Sequence, residues 1–84
     1  MNFYLTYKAE KQLGELPKDM QYRIRNKMRF YANQENPISF SEKLTDREGY
    51  RFRVGNHRAL FVIENNTIKV FEVEPRDKVY KRNR

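Results

Sequence analysis

Two dipeptides, Gly55-Asn56 and Asn65-Asn66, separate three runs of β-forming residues, and they narrow the choice of fold more than any other feature of the chain. The runs Tyr50–Val54, His57–Glu64 and Thr67–Val73 are rich in aromatic and branched side chains, which favour strands. Two-residue connections of Gly and Asn close tight hairpins. Three consecutive antiparallel strands are therefore expected, with Pro75 ending the last of them because proline cannot donate to a ladder.

Side chains alternate between the two faces of a strand. Tyr50, Phe52 and Val54 then share one face, while Arg51 and Arg53 share the other. The first hairpin buries one side and presents guanidinium groups on the opposite one.

The N-terminal half has a different period. Met20, Ile24, Met28 and Tyr31 recur every three or four residues, which predicts an amphipathic helix over Pro17–Asn33. Pro17 suits a first helical position, where its missing N–H costs nothing. A shorter helix is expected over Lys8–Leu16, parted from the second by Gly14 and Pro17. Asn2–Tyr7 reads as a first strand at an edge, Gln34–Ser39 as a loop, Phe40–Leu44 as a short strand, and Asp46–Gly49 as a turn. The order β-α-α-β-β-β predicts an α+β fold, in which an N-terminal strand and a helical hairpin pack on one face of a mostly antiparallel sheet of four to five strands. Residues 1–84 are expected to form one domain. Met20, Ile24, Met28, Phe52, Phe61 and Phe71 are the expected core.

Charge divides the chain unevenly. The net charge is +7, of which residues 1–49 carry +2 and residues 50–84 carry +5. The excess falls on the hairpin and the C-terminal tail, which suggests a polyanion or an acidic protein as partner. Six Phe and six Tyr offset the low apolar content and argue against disorder. The absence of cysteine excludes disulfides and thiolate metal sites, and a single histidine makes a histidine-based metal site improbable. No metal or cofactor is expected. No apolar run approaches the ~20 residues needed to span a bilayer, so no membrane partner is expected and the cytoplasm is the default location.

Neither a Gly-rich phosphate loop nor a Ser/His/Asp or Cys/His constellation is present. The residues with chemical potential are Arg51, Arg53, Arg58, Arg76 and Tyr80, with His57 beside them. Each has a plain structural reading. Arg51 and Arg53 suit an edge strand as solvated charges, Arg58 could pair with Glu64, Arg76 and Lys78 could be ordinary tail charges, Tyr80 could anchor the C-terminus, and His57 could serve only the turn. What singles them out is their joint placement on adjacent strands.

The block Gly49-Tyr50-Arg51-Phe52-Arg53-Val54-Gly55-Asn56-His57-Arg58, the apolar strand and Asn-Asn turn after it, and then Arg76-Asp77-Lys78-Val79-Tyr80 resemble the RelE/ParE superfamily of bacterial and archaeal toxins. The preceding strand, the helical hairpin and Lys43-Leu44 fit as well, so the resemblance covers the whole chain. It implies a compact αβ domain with its active residues on a concave sheet surface. It also implies a toxin of RelE type, a ribosome-dependent messenger-RNA endonuclease, with an acidic antitoxin as cognate partner and the ribosome and messenger RNA as targets. Carried over by position, Arg58, Arg76 and Tyr80 become the catalytic candidates. Arg51, Arg53, Lys43, Lys78 and His57 become candidates for holding RNA phosphates.

Cleavage of RNA through its own 2′-hydroxyl needs positive charge around the pentacovalent phosphate, and preorganised cations supply it. Arg58 and Arg76 could clamp the phosphate bidentately, while Tyr80 could stack on a base or move a proton. Some RelE-type toxins carry lysines where this chain has Arg51 and Arg53. Arginine stays protonated, so proton transfer would fall to Tyr80 or His57. Two other readings fit the same residues: a ParE-type toxin that poisons DNA gyrase, and a non-catalytic basic module that holds RNA or an acidic partner. Under the catalytic reading, truncating Arg58, Arg76 or Tyr80 is expected to spare the fold.

Overall fold

A computed structural model of the protein describes residues 1–75. The chain runs β1 (Asn2–Leu5), α1 (Tyr7–Gly14), α2 (Lys18–Ala32), a 3₁₀ turn (Pro37–Phe40), β2 (Glu42–Lys43), β3 (Tyr50–Val54), β4 (His57–Glu64) and β5 (Thr67–Pro75). The five strands form one sheet in the order β1-β5-β4-β3-β2. β1 lies parallel to β5, and the other neighbours are antiparallel. The architecture is the expected α+β one.

Each hairpin turn has the backbone its residues permit. Gly55 takes φ +60°, and Asn65 and Asn66 take +52° and +59°, the left-handed region that primed turns require. Thr6 starts α1 by accepting a hydrogen bond on its hydroxyl from the Ala9 N–H at 3.2 Å. Pro17 lies one position before the expected one, as the extended residue that caps α2. Gln21 ties α2 to the connector that follows α1 by donating from its side chain to the Leu16 carbonyl at 2.8 Å. Pro37 opens the 3₁₀ turn inside what the sequence suggested was loop, and the expected strand Phe40–Leu44 shrinks to Glu42–Lys43. Pairing with β3 extends over only those two residues.

The helices bury Ala9, Leu13, Ile24, Met28 and Tyr31 against Phe52, Val54, Phe61, Ile68 and Val70. A stack of three rings runs through this core. Tyr31 and Phe52 lie 3.8 Å apart between centroids, and Phe52 and Phe61 lie 4.2 Å apart, both nearly coplanar in orientation. Each such side chain stabilises the fold by about 1.5–3 kcal/mol through burial. Removal from water holds the Tyr31 phenol above its ordinary pKa.

Two expected core residues behave differently. Met20 is half-buried and packs against the rim of the core. Phe71 is half-buried because the ladder shifts register: Leu60 pairs with Glu72, but Phe61 pairs with Val70. Phe71 is the extra residue of a β-bulge. The bulge keeps Ile68, Val70 and Val73 on the helix side and places Glu72 and Glu74 opposite the outward residues Leu60 and Arg58. Among the described residues no helix is long and apolar enough to cross a membrane.

Candidate functional site

The helices cover one face of the sheet, and the other carries a group of arginines interleaved with carboxylates. Strand register builds it in two rows. In one row Glu42, Arg51, Leu60 and Glu72 follow one another across β2, β3, β4 and β5. In the next, Arg53, Arg58 and Glu74 do the same across β3, β4 and β5. Arg53 and Arg58 are direct cross-strand partners, an arrangement that like charges disfavour. Flanking carboxylates offset it: Glu42 on one side and Glu74 on the other.

The loop between β2 and β3 folds back over this face. It is closed by the Leu44 N–H donating to the Gly49 carbonyl at 2.9 Å. Gly49 has φ +126°, and a Cβ there would lie 2.9 Å from the Phe61 carbonyl oxygen and 3.3 Å from Leu44 Cδ1. Only glycine allows the loop to lie this close to β4. Leu44 and Leu60, both buried, form an apolar floor. Above it opens a cleft of about 340 Å³ bordered by Thr45, Asp46, Arg47, Arg51, Arg58 and Glu74.

Every arginine of this face has a carboxylate neighbour. Arg51 donates from Nε to Glu42 Oε1 at 2.9 Å, and Arg53 donates from Nε to the same oxygen at 3.1 Å. The hydrogen bond from Arg51 holds the Glu42 carboxyl below its ordinary pKa; desolvation opposes this, and the charges of Arg53 and Arg51 reinforce it. Arg58 faces Glu74 at 3.7 Å, with 15% and 13% of their side chains exposed. That distance makes it a charge contact rather than a hydrogen bond. Arg47 lies 3.6 Å from Glu72, with its guanidinium carbon 5.5 Å from the Phe71 ring centre.

The structure thus brings Arg51, Arg53 and Arg58 together, as the sequence suggested. The partner of Arg58 is Glu74 rather than Glu64. His57 and Lys43 are not part of the group. His57 pairs in register with Val54, and Lys43 with Tyr50, which sets both on the helix-side face by alternation. Lys43 lies over the Tyr50 ring at 5.5 Å. His57 Nδ1 is buried and has no hydrogen-bond partner among the described residues. Arg76, Lys78 and Tyr80 lie outside the described residues. Sequence reasoning missed Arg47, because only the fold of its loop brings it to the cleft, three residues before β3 begins.

The face is suited to holding an anion: planar guanidinium donors converge on a concave polar surface with an apolar floor. Among the described residues no group of His, Cys, Asp and Glu is placed to hold a metal ion.

Comparison with known folds locates the architecture. One chain of a RelBE toxin–antitoxin complex from Mycobacterium tuberculosis superposes with a TM-score of 0.72 at 22% identity, covering 89% of this chain and 90% of that one. The chain has a RelE-like fold. A RelB–RelE antitoxin–toxin complex from Methanococcus jannaschii gives a TM-score of 0.71 at 22% identity over 98% of both chains. The intact RelBE toxin–antitoxin complex of E. coli gives 0.71 at 13% identity, covering 88% and 94%. The sequence matches no protein-family model and no curated protein. The RelE-like fold therefore comes with a sequence far from its structural neighbours, and the basic cleft must be judged on its own residues.

Proposed function

We propose that this protein is the toxin of a toxin–antitoxin pair and acts as a ribosome-dependent, metal-independent messenger-RNA endonuclease in the cytoplasm. The observation that carries this reading is the cleft formed by Arg47, Arg51 and Arg58 on the open face of a RelE-like sheet. Those guanidinium groups supply fixed positive charge where a pentacovalent phosphate would develop negative charge. Leu44 and Leu60 give the cleft an apolar floor, and a charge interaction beside apolar surface is stronger than one in open water. The arginines remain protonated, so another group must take the 2′-hydroxyl proton as the 2′-oxygen attacks phosphorus and return a proton to the 5′-oxygen as the P–O5′ bond breaks; Tyr80, as phenolate and then phenol, is the candidate for both transfers, with Arg76 as a second clamp. An acidic antitoxin would neutralise the same face by bringing carboxylates to its arginines, in keeping with the toxin–antitoxin complexes whose chains share the fold.

Regulated expression with mapping of RNA 5′ ends tests the proposal. Induction of the parent is expected to arrest growth and to produce new 5′ ends within translated messages. Arg58→Ala is expected to reduce cleavage on the order of 10²-fold. If induction arrests growth without new RNA ends, and DNA breaks at gyrase sites appear instead, the gyrase-directed reading replaces this one. If neither appears, the protein is a binding module.

A further inference from the structure

Arg51 and Arg53 meet on a single oxygen of Glu42. Two guanidinium groups sharing one carboxylate oxygen is the arrangement that an anion bound from solution would adopt. Carboxylate and phosphate present similar oxygens to an arginine fork. We infer that Glu42 is an internal stand-in for the RNA backbone in the free protein, occupying the position between Arg51 and Arg53 where a backbone phosphate would sit. The inference rests on the RNA-directed reading above and adds a control on access to that site.

Three features support it. Glu42 sits on the shortest strand, whose pairing with β3 covers two residues at the edge of the sheet, so it can withdraw without disturbing the core. Glu42 is half exposed and Arg53 is 50% exposed, so solvent and ligand reach this position directly. Arg51 borders this position and the cleft alike, which makes the two continuous. A ligand must engage both to displace a carboxylate held in cis, because the tethered group competes at high effective concentration. A single-stranded RNA backbone carries one charge per nucleotide and can fill this position and the cleft together. An isolated side-chain carboxylate can fill only one, so the phosphodiester is the favoured occupant. Glu42 thereby acts as a selectivity element: it excludes lone anions and yields to a multivalent chain.

Binding of a short fluorescent single-stranded RNA, followed by anisotropy at several salt concentrations, tests this with the full chain. Glu42→Gln is expected to tighten binding about three- to tenfold and to steepen the salt dependence by roughly one phosphate contact. Glu15→Gln changes the net charge equally on the helical hairpin and is expected to leave both nearly unaltered, since separated surface charges are screened over about 8–10 Å. In the Glu42→Gln background, Arg53→Ala is expected to cancel the gain. Unchanged or weaker RNA binding by Glu42→Gln overturns the inference, as does an equal gain from Glu15→Gln. A gain seen with a polyglutamate peptide but not with RNA also overturns it. Arg58→Ala in the parent separates the two levels: if it leaves RNA binding unaltered, the cleft reading itself fails, whatever Glu42 does.

Discussion

Replacing Gly49 with alanine should damage stability and the cleft together. The residue has φ +126°, a conformation that L side chains rarely adopt, and holding a non-glycine residue there costs about 1–3 kcal/mol. The added Cβ would also lie 2.9 Å from the Phe61 carbonyl oxygen. That oxygen belongs to β4, which is paired on both sides, so the strand cannot move aside. The loop has to lift instead, and it takes with it Leu44, 3.3 Å from the same Cβ, as well as Arg47. The combined cost is expected to reach about 2–4 kcal/mol, against a total near 4–12 kcal/mol for a chain of this length. Gly14→Ala provides the contrast. A Cβ at Gly14 meets nothing within 4 Å and lies at the end of α1, where alanine is favoured over glycine by up to about 1 kcal/mol. Urea denaturation of both variants gives the two stabilities, and RNA anisotropy gives the state of the cleft. Gly49→Ala should lower the midpoint and weaken binding, whereas Gly14→Ala should hold or raise the midpoint and leave binding alone. A change below about 0.5 kcal/mol in Gly49→Ala would refute the close approach of the loop to β4.

Two further outcomes follow from the core and from the arginine face. Phe52→Ala removes the middle ring between Tyr31 and Phe61 and should cost about 3–5 kcal/mol; a loss under about 1 kcal/mol by urea titration would contradict the stacked core. The Glu42 carboxyl is held below its ordinary pKa, so its contribution to stability is present above the unfolded-state value and is lost as pH falls through the lower, folded one. Carboxyl-detected NMR titration should show that depressed midpoint, and Arg51→Ala should move it back upward; an unmoved midpoint would mean that the Arg51 hydrogen bond is not its cause.

The structure also changes one expectation about cost. Arg58 looked like a surface residue whose removal would spare the fold. Its side chain is only 15% exposed and faces Glu74, which is 13% exposed. Truncation would leave a largely buried carboxylate without its cation, a loss larger than the ±0.5 kcal/mol of ordinary surface changes. Activity measurements on Arg58→Ala therefore need a folding control.

Local chemistry determined much of this protein from sequence alone. Gly55-Asn56 and Asn65-Asn66 set both hairpins, because few residues accept a positive φ. Alternation placed Phe52 and Val54 inward and Arg51 and Arg53 outward, because a strand has a period of two. The spacing of Ile24, Met28 and Tyr31 set the buried stripe of α2. What the sequence left open depended on pairing between distant segments. Parallel docking of β1 on β5 has no local signal. The bulge at Phe71 reverses the alternation part-way along β5, and only the pairing of Phe61 with Val70 and of Leu60 with Glu72 reveals it. His57 and Lys43 looked like companions of the arginines by proximity in sequence, yet strand parity puts them on the helix side. Arg47 joins the cleft because a loop closes through Gly49. The ion pairs of Arg51 and Arg53 with Glu42, and of Arg58 with Glu74, join residues on different strands whose register no single segment encodes. Side-chain direction within an element is a local property that the sequence carries, whereas the meeting of charges across elements is a property of the assembled sheet.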